Sequence, residues 1–169
     1  MAIEIERKYL LEAYPDELIQ EGIIVVEKEQ FIEQTYLALD GDQELRVRKI
    51  TDLTSGLLEF THTFKKGWGI AREEVEYAIS KGLYDQIVKA HGAIPLTKRR
   101  ETARWGSTLI EIDDYAQISL LVLEVEFPSL EAADGFVPPA WFGQDISTDK
   151  QYSNKKVWRD LQLQAGREA

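Results

Sequence analysis

The 169 residues carry 30 acidic side chains against 20 Lys and Arg, a formal charge of −10 that argues against a general nucleic-acid binder and an electrostatic membrane anchor. The absence of cysteine removes disulfides, thiolate chemistry and Cys-ligated zinc, and no apolar run approaches the ~20 residues that span a bilayer. At 44% hydrophobic residues, one globular domain over residues 1–169 is expected, in the cytoplasm because no signal-peptide core is present.

Residues 2–10 (AIEIERKYL) alternate with the period of two that a strand imposes. Glu4, Glu6 and Lys8 share one face; Ile3, Ile5, Arg7 and Tyr9 share the other. A short helix is predicted over 14–22, with Gly22 to stop it. Strand-forming stretches follow at 23–32 and 33–40, then a Gly41-Asp42 turn and a strand over 44–50 with Arg46 and Arg48 on one face. The loop 51–56 leads to a strand over 57–66 carrying Thr61, Thr63 and Lys65 together. The Gly67-Trp68-Gly69 turn returns the chain as a hairpin over 70–79, where Arg72, Glu74 and Glu76 align. Residues 80–92 read as a helix capped by Ser80, striped by Leu83, Ile87 and Val88, and ended by Gly92. Pro95 opens a strand in which Lys98, Arg100, Thr102 and Arg104 share a face. Gly106 turns into 109–115, with Glu111 and Asp113 alternating against Ile110 and Ile112, and 120–127 places Glu124 and Glu126 against Leu123 and Val125. A short acidic helix at 130–133, a loop at 145–149 and a helix from Ser153 or Asn154 to about Gln164 complete the chain.

About eight strands with few intervening helices imply antiparallel hairpins and an α+β, mainly β fold. One face of seven strands collects eight acids (Glu4, Glu6, Glu74, Glu76, Glu111, Asp113, Glu124, Glu126) and seven bases (Lys8, Arg46, Arg48, Lys65, Arg72, Lys98, Arg100). A solvated face normally mixes Ser, Thr and Gln with its charges, and like charges two residues apart repel one another. Closing the sheet into a barrel with this face inside gives the charges work to do. Carboxylates would hold a cation, and Lys and Arg would grip a polyanion through charge-assisted hydrogen bonds. The apolar faces would be covered from outside by the helices at 14–22, 80–92 and 153–164. This face is nearly neutral, so the chain's negative charge lies mostly elsewhere. An all-oxygen donor set suits a hard ion, Mg²⁺ or Mn²⁺. His62 and His91, not spaced as ligands, read as structural or solvent-exposed. Trp68 and Trp105 read as packing residues or loop anchors.

Glu4-x-Glu6-x-Lys8 near the amino terminus resembles the ExExK signature of CYTH-domain proteins, the triphosphate tunnel metalloenzymes. The resemblance continues in order through Arg46-x-Arg48, Lys65, Arg72-x-Glu74-x-Glu76, Lys98-x-Arg100, Glu111-x-Asp113, Glu124-x-Glu126 and Tyr152-Ser-Asn154. It implies an eight-stranded antiparallel tunnel, a triphosphate substrate and Mg²⁺ or Mn²⁺, with two ions expected. The start of the chain looks most like small bacterial members, several of which hydrolyse inorganic triphosphate. On that footing Lys8, Arg46, Arg48, Lys65, Arg72, Lys98 and Arg100 would bind substrate. Glu4, Glu6, Glu74, Glu76, Glu124 and Glu126 would be metal ligands. Glu4, Glu6, Lys8, Glu111 and Asp113 would form the catalytic set, with Glu111 and Asp113, like Glu74 and Glu76, completing the metal shell or orienting the attacking water. The general base is left open. Adenylyl cyclase, thiamine triphosphatase and a non-catalytic polyphosphate-binding module stand as alternatives. The partner is expected to be a small triphosphate rather than nucleic acid or membrane, acting on a monomer or homodimer.

Overall fold

Alternation becomes register in a computed structural model that describes residues 2–166; Met1 and residues 167–169 of the expected domain lie outside the described residues. Eight strands are formed: β1 (Ala2–Leu10), β2 (Ile24–Asp40), β3 (Gln43–Asp52), β4 (Leu58–Lys66), β5 (Ala71–Ala78), β6 (Leu96–Trp105), β7 (Thr108–Tyr115) and β8 (Leu120–Glu126). They close into a barrel in the order β1-β5-β4-β3-β2-β6-β7-β8, antiparallel at every pairing. The two stretches read at 23–32 and 33–40 are one 17-residue strand, since no turn residue interrupts them. A register shift between Tyr36 and Ala38 bends it around the barrel.

The first strand joins the two meanders. Its first half pairs with β5 (Ala2↔Glu74 to Ile5↔Ala71), and its second half pairs with β8 (Glu6↔Glu126 to Leu10↔Val122). The edge this stagger leaves on the second half is covered by residues 144–147. Leu10 N–H donates to the Gln144 carbonyl (2.9 Å), Ile146 N–H to the Lys8 carbonyl (2.8 Å), and Lys8 N–H to Ser147 Oγ (2.9 Å). The chain can run this close only because residue 143 is glycine: a Cβ there would collide with the Leu10 carbonyl. Arg7, on the outer face, pins the same segment by donating to the carbonyls of Ala133 and Phe136 and to Asp145.

Among the described residues there are also four α-helices, α1 (Asp16–Gln20), α2 (Lys81–His91), α3 (Leu130–Asp134) and α4 (Asn154–Gln164), and one 3-10 turn at Lys150–Tyr152. Leu18 and Ile19 of α1, with Phe136, Trp141 and Phe142, cover outer residues Ile24, Ala103, Ile110, Ile112, Leu123 and Val125. The second helix covers Val47 and Phe60. Ser80 caps it through Leu83 N–H, and Gly92 ends it in the left-handed conformation. Its buried side chain is Tyr84; Leu83, expected in the apolar stripe, is exposed. Trp105 packs on Trp141 and Phe142, whereas Trp68 stays exposed with the Lys150 and Lys155 ammoniums 5.0 Å from its ring. His62 lies beside Tyr77 on the outer face and His91 beside Trp158.

The expectation that the last helix covers the outside is corrected by the structure. Leu96, Tyr115 and Val122 continue the inward-facing rows of their own strands beyond the charged residues, and Tyr36 stands on the same face opposite Arg46. These apolar ends meet Ile146, Val157 and Trp158 in a single cluster. The fourth helix therefore lies across one end of the barrel and closes it. Its amphipathic face finds the apolar surface inside the rim, which burial favours over any polar alternative.

Candidate active site

The charged rows meet in the middle of the barrel, above the apolar floor. On one side Lys65 of β4 joins β1 and β5: its Nζ lies 2.6 Å from Glu4 Oε2 and 3.2 Å from Glu74 Oε2. Against the effect of burial, this contact holds Glu4 down at about 2, whereas burial and the adjacent Glu4 raise Glu74. One ammonium serves two carboxylates, and the second is left short of positive charge.

On the opposite side Arg100 of β6 lies among three acids. Its Nε and Nη2 form a bidentate pair with Asp113 (2.7 and 2.8 Å), its Nη1 lies 2.5 Å from Glu111, and Nη2 is 3.4 Å from Glu124. Lys98 donates to Asp113 Oδ2 (2.8 Å), the oxygen that also accepts from Arg100 Nη2, and to the Tyr115 hydroxyl (3.3 Å). Although burial opposes it, Arg100 and Lys98 keep Asp113 ionised, well below the ordinary carboxylate range. Burial and Arg100 push Lys98 down to about 7. Burial and the neighbouring Glu124 raise Glu111.

Glu6 lies between these two groups. Burial and Glu124 push it up to about 8, and its carboxylate makes no hydrogen bond or ion pair among the described residues. Lys8 is drawn towards the floor, its Nζ donating to the Tyr152 carbonyl (3.0 Å) and lying 4.0 Å from Glu124.

The third feature is cationic. Arg46 and Arg48 of β3 are 4% and 8% exposed and pair with no carboxylate among the described residues. Arg48 Nε donates to Gln34 (2.9 Å), while Arg46 lies beside Tyr36 with its Nε unpartnered. Burial, with Arg46 and Arg100 nearby, pushes Arg48 down to about 10. Against burial, Tyr36 and the nearby Glu44 and Glu74 raise Arg46, whereas Arg48 has no such carboxylate support and is costly unless an anion satisfies it.

The structure thus brings Glu4, Glu6, Lys8, Arg46, Arg48, Lys65, Glu74, Lys98, Arg100, Glu111, Asp113 and Glu124 onto one interior. Arg72 joins them through Glu44 (3.1 Å). Glu76 and Glu126 lie at the exposed rim; Glu76 accepts from Thr63 Oγ1 (2.7 Å), and Glu126 stands opposite Glu6 in register. Sequence reasoning missed Glu44, Gln34 and Tyr36, although Glu44 is two residues before Arg46 and so shares its face. An outer cleft of about 490 Å³, lined by Tyr14, Arg99, Glu101 and Asp114 among others, holds none of these residues.

The donor chemistry fits a hard divalent ion. Glu4, Glu6, Glu74 and Glu124 present only oxygen, and the raised Glu6 is the mark of a carboxylate short of positive charge. In the described residues Lys65 and Arg100 hold most of these acids, and no group of three or more is gathered around one point.

The match to known proteins follows these elements. A family model, the CYTH domain, matches residues 2–154. An inorganic triphosphatase of Nitrosomonas europaea is 33% identical over 158 residues, covering 91% of this chain and 95% of that protein. A solved structure of an inorganic triphosphatase aligns at a TM-score of 0.61 and 31% identity, over 93% of this chain and 95% of the other. A protein of Pyrococcus horikoshii OT3 shares the fold at a TM-score of 0.58 and 19% identity, over 94% and 89%.

Proposed function

This chain belongs to the CYTH domain family, and we propose that it hydrolyses a phosphoanhydride bond of inorganic triphosphate inside its barrel. The observation that carries the reading is the buried guanidiniums of Arg46 and Arg48, neither in a direct ion pair among the described residues, facing an interior that α4 closes at one end. Such a site favours a compact polyanion. Its relative from Nitrosomonas europaea, an inorganic triphosphatase, supports the same substrate class.

In this reading Arg46, Arg48, Lys65, Arg72 and Lys8 bind phosphate oxygens and offset the charge that develops as the bond breaks. Glu111 orients water for in-line attack on a terminal phosphorus. A P–O bond forms to water, the bridging P–O bond breaks, pyrophosphate departs and the water proton passes to an acceptor in the site. Glu4, Glu6 and Glu124, with Glu74, Glu76 and Glu126 around them, would hold Mg²⁺ or Mn²⁺, two ions in all. A bound ion would supply Lewis acidity and lower the pKa of water. The reaction would take place in the cytoplasm, where the lack of cysteine is unremarked.

The test is release of phosphate and pyrophosphate from inorganic triphosphate, ATP and thiamine triphosphate, each with Mg²⁺, Mn²⁺ or chelator. The expected result is ion-dependent release from inorganic triphosphate, abolished by chelator. Cyclic nucleotide with pyrophosphate from ATP would replace the reading with a cyclase. Binding without any release would leave a polyphosphate-binding module.

A further inference from the structure

Five side chains form one continuous hydrogen-bonded line from the closing helix to the middle of the barrel. At its start, the Tyr115 hydroxyl donates its only proton to Asn154 Oδ1, the first residue of α4, at 2.6 Å. The lone pairs it keeps therefore face Lys98, whose Nζ donates to it at 3.3 Å. Lys98 also donates to Asp113 at 2.8 Å, and Asp113 grips Arg100 in the bidentate pair.

Exposure separates the ends of this line. The side chains of Lys98 and Asp113 are 0% exposed, so neither has surface to offer a substrate, whereas Arg100 retains 12% and reaches the interior. A buried ion pair is a poor way to gain stability, because desolvation offsets most of the attraction and an apolar pair fills such a space as well. What it does provide is direction. Asn154 fixes the rotation of the Tyr115 hydroxyl, the hydroxyl fixes Lys98, and Lys98 fixes the plane of the carboxylate that aims the guanidinium. The same terminal segment holds Lys8, through the Tyr152 carbonyl at 3.0 Å.

We propose that Asn154, Tyr115, Lys98 and Asp113 are positioning residues that aim the Arg100 guanidinium at a phosphate oxygen, so that the seating of α4 at the barrel end sets the competence of the site. This rests on the triphosphatase reading and reassigns two residues that the sequence places at the substrate and the water. Lys98 and Asp113 act through Arg100.

The experiment compares Tyr115→Phe, Asn154→Ala and Asn154→Asp with the wild type, in steady-state turnover of inorganic triphosphate and in calorimetric binding of inorganic triphosphate under chelator. Tyr115→Phe and Asn154→Ala are expected to lower kcat about tenfold while KM moves less than threefold, since a misaimed guanidinium loses transition-state contact first. Asn154→Asp, which keeps the acceptor oxygen, is expected to recover at least a third of wild-type kcat. Wild-type kcat in the first two variants overturns the proposal. So does an Asn154→Asp protein as impaired as Asn154→Ala, because that marks a merely structural role. If the wild type shows no turnover, the functional reading fails by itself and the binding arm decides the positioning chain. Affinity about tenfold weaker in the first two variants then upholds it, and unchanged affinity overturns it.

Discussion

Glu6 carries the sharpest quantitative prediction, because its environment sets the sign as well as the size. Its carboxyl is moved from an ordinary 4.5 to about 8 by burial and by Glu124. In the unfolded chain the proton leaves near 4.5; in the native barrel it is retained until about 8. Between those limits the native state binds more protons than the unfolded one, so this group makes stability fall as pH rises through the window. At about 1.4 kcal/mol per pH unit the full swing approaches 5 kcal/mol, and partial access of water to the side chain brings it to about 2 kcal/mol. Glu6→Gln removes the titration and keeps the shape. Urea unfolding followed by tryptophan fluorescence, in chelator at pH 5.0, 6.5 and 8.5, should show the variant gaining about 2 kcal/mol on the wild type between the first and last values. Contributions from groups that do not interact with Glu6 cancel in that difference. Adding Mg²⁺ at the highest pH should narrow the gap, by stabilising the wild type more than the variant. A difference between the two proteins that is the same at all three pH values refutes the reasoning.

The unpaired cations make the opposite demand on stability. Arg48→Ala is expected to raise KM for inorganic triphosphate more than tenfold while leaving the melting temperature unchanged or higher, because a buried charge that its surroundings disfavour is removed; Arg46→Ala, which also deprives Glu44 and Glu74 of a nearby cation, shares only the KM effect. Steady-state kinetics beside a thermal melt checks both halves, and a lower KM contradicts the phosphate assignment. At the barrel edge, Gly143→Ala forces a Cβ into the Leu10 carbonyl and should cost about 3 kcal/mol in urea unfolding, the scale of a severe overpacking. A loss below about 0.5 kcal/mol would mean that residues 144–147 can move away from β1 without consequence.

Strand alternation was legible because a barrel interior is a strictly local pattern: Glu4, Glu6 and Lys8 declare their face without reference to any other strand. Turn chemistry was legible for the same reason, as at Ser80 and Gly92, where the capping side chain and the left-handed glycine sit where the local sequence places them. Pairings were not. Lys65 meets Glu4 across 61 residues and Arg100 meets Glu124 across 24, and those distances are set by barrel order and stagger, which no local window contains. Rim positions were also beyond reach. Glu76 and Glu126 share the parity of Glu74 and Glu124, and only the height along the barrel separates exposed from buried.

The misplacement of the last helix has a related cause and points to how such a chain is built. An amphipathic helix with Val157 and Trp158 on its buried face reads the same whether it lies on the outside or across the end. The missing signal was in the other strands. Leu96 precedes Lys98 and Arg100 on the inward face, Tyr115 follows Glu111 and Asp113, and Val122 precedes Glu124 and Glu126. On all three strands the apolar member falls at the same end of the row. Once the strands are antiparallel neighbours, three apolar ends at one height make a floor, and a floor of that kind needs a cover. The charges above it are then confined between a dry surface and an open rim, where each ion pair is screened less than at the protein surface and each unpaired group is felt more strongly. The closing helix is in this sense part of the electrostatics of the site as well as of its shape.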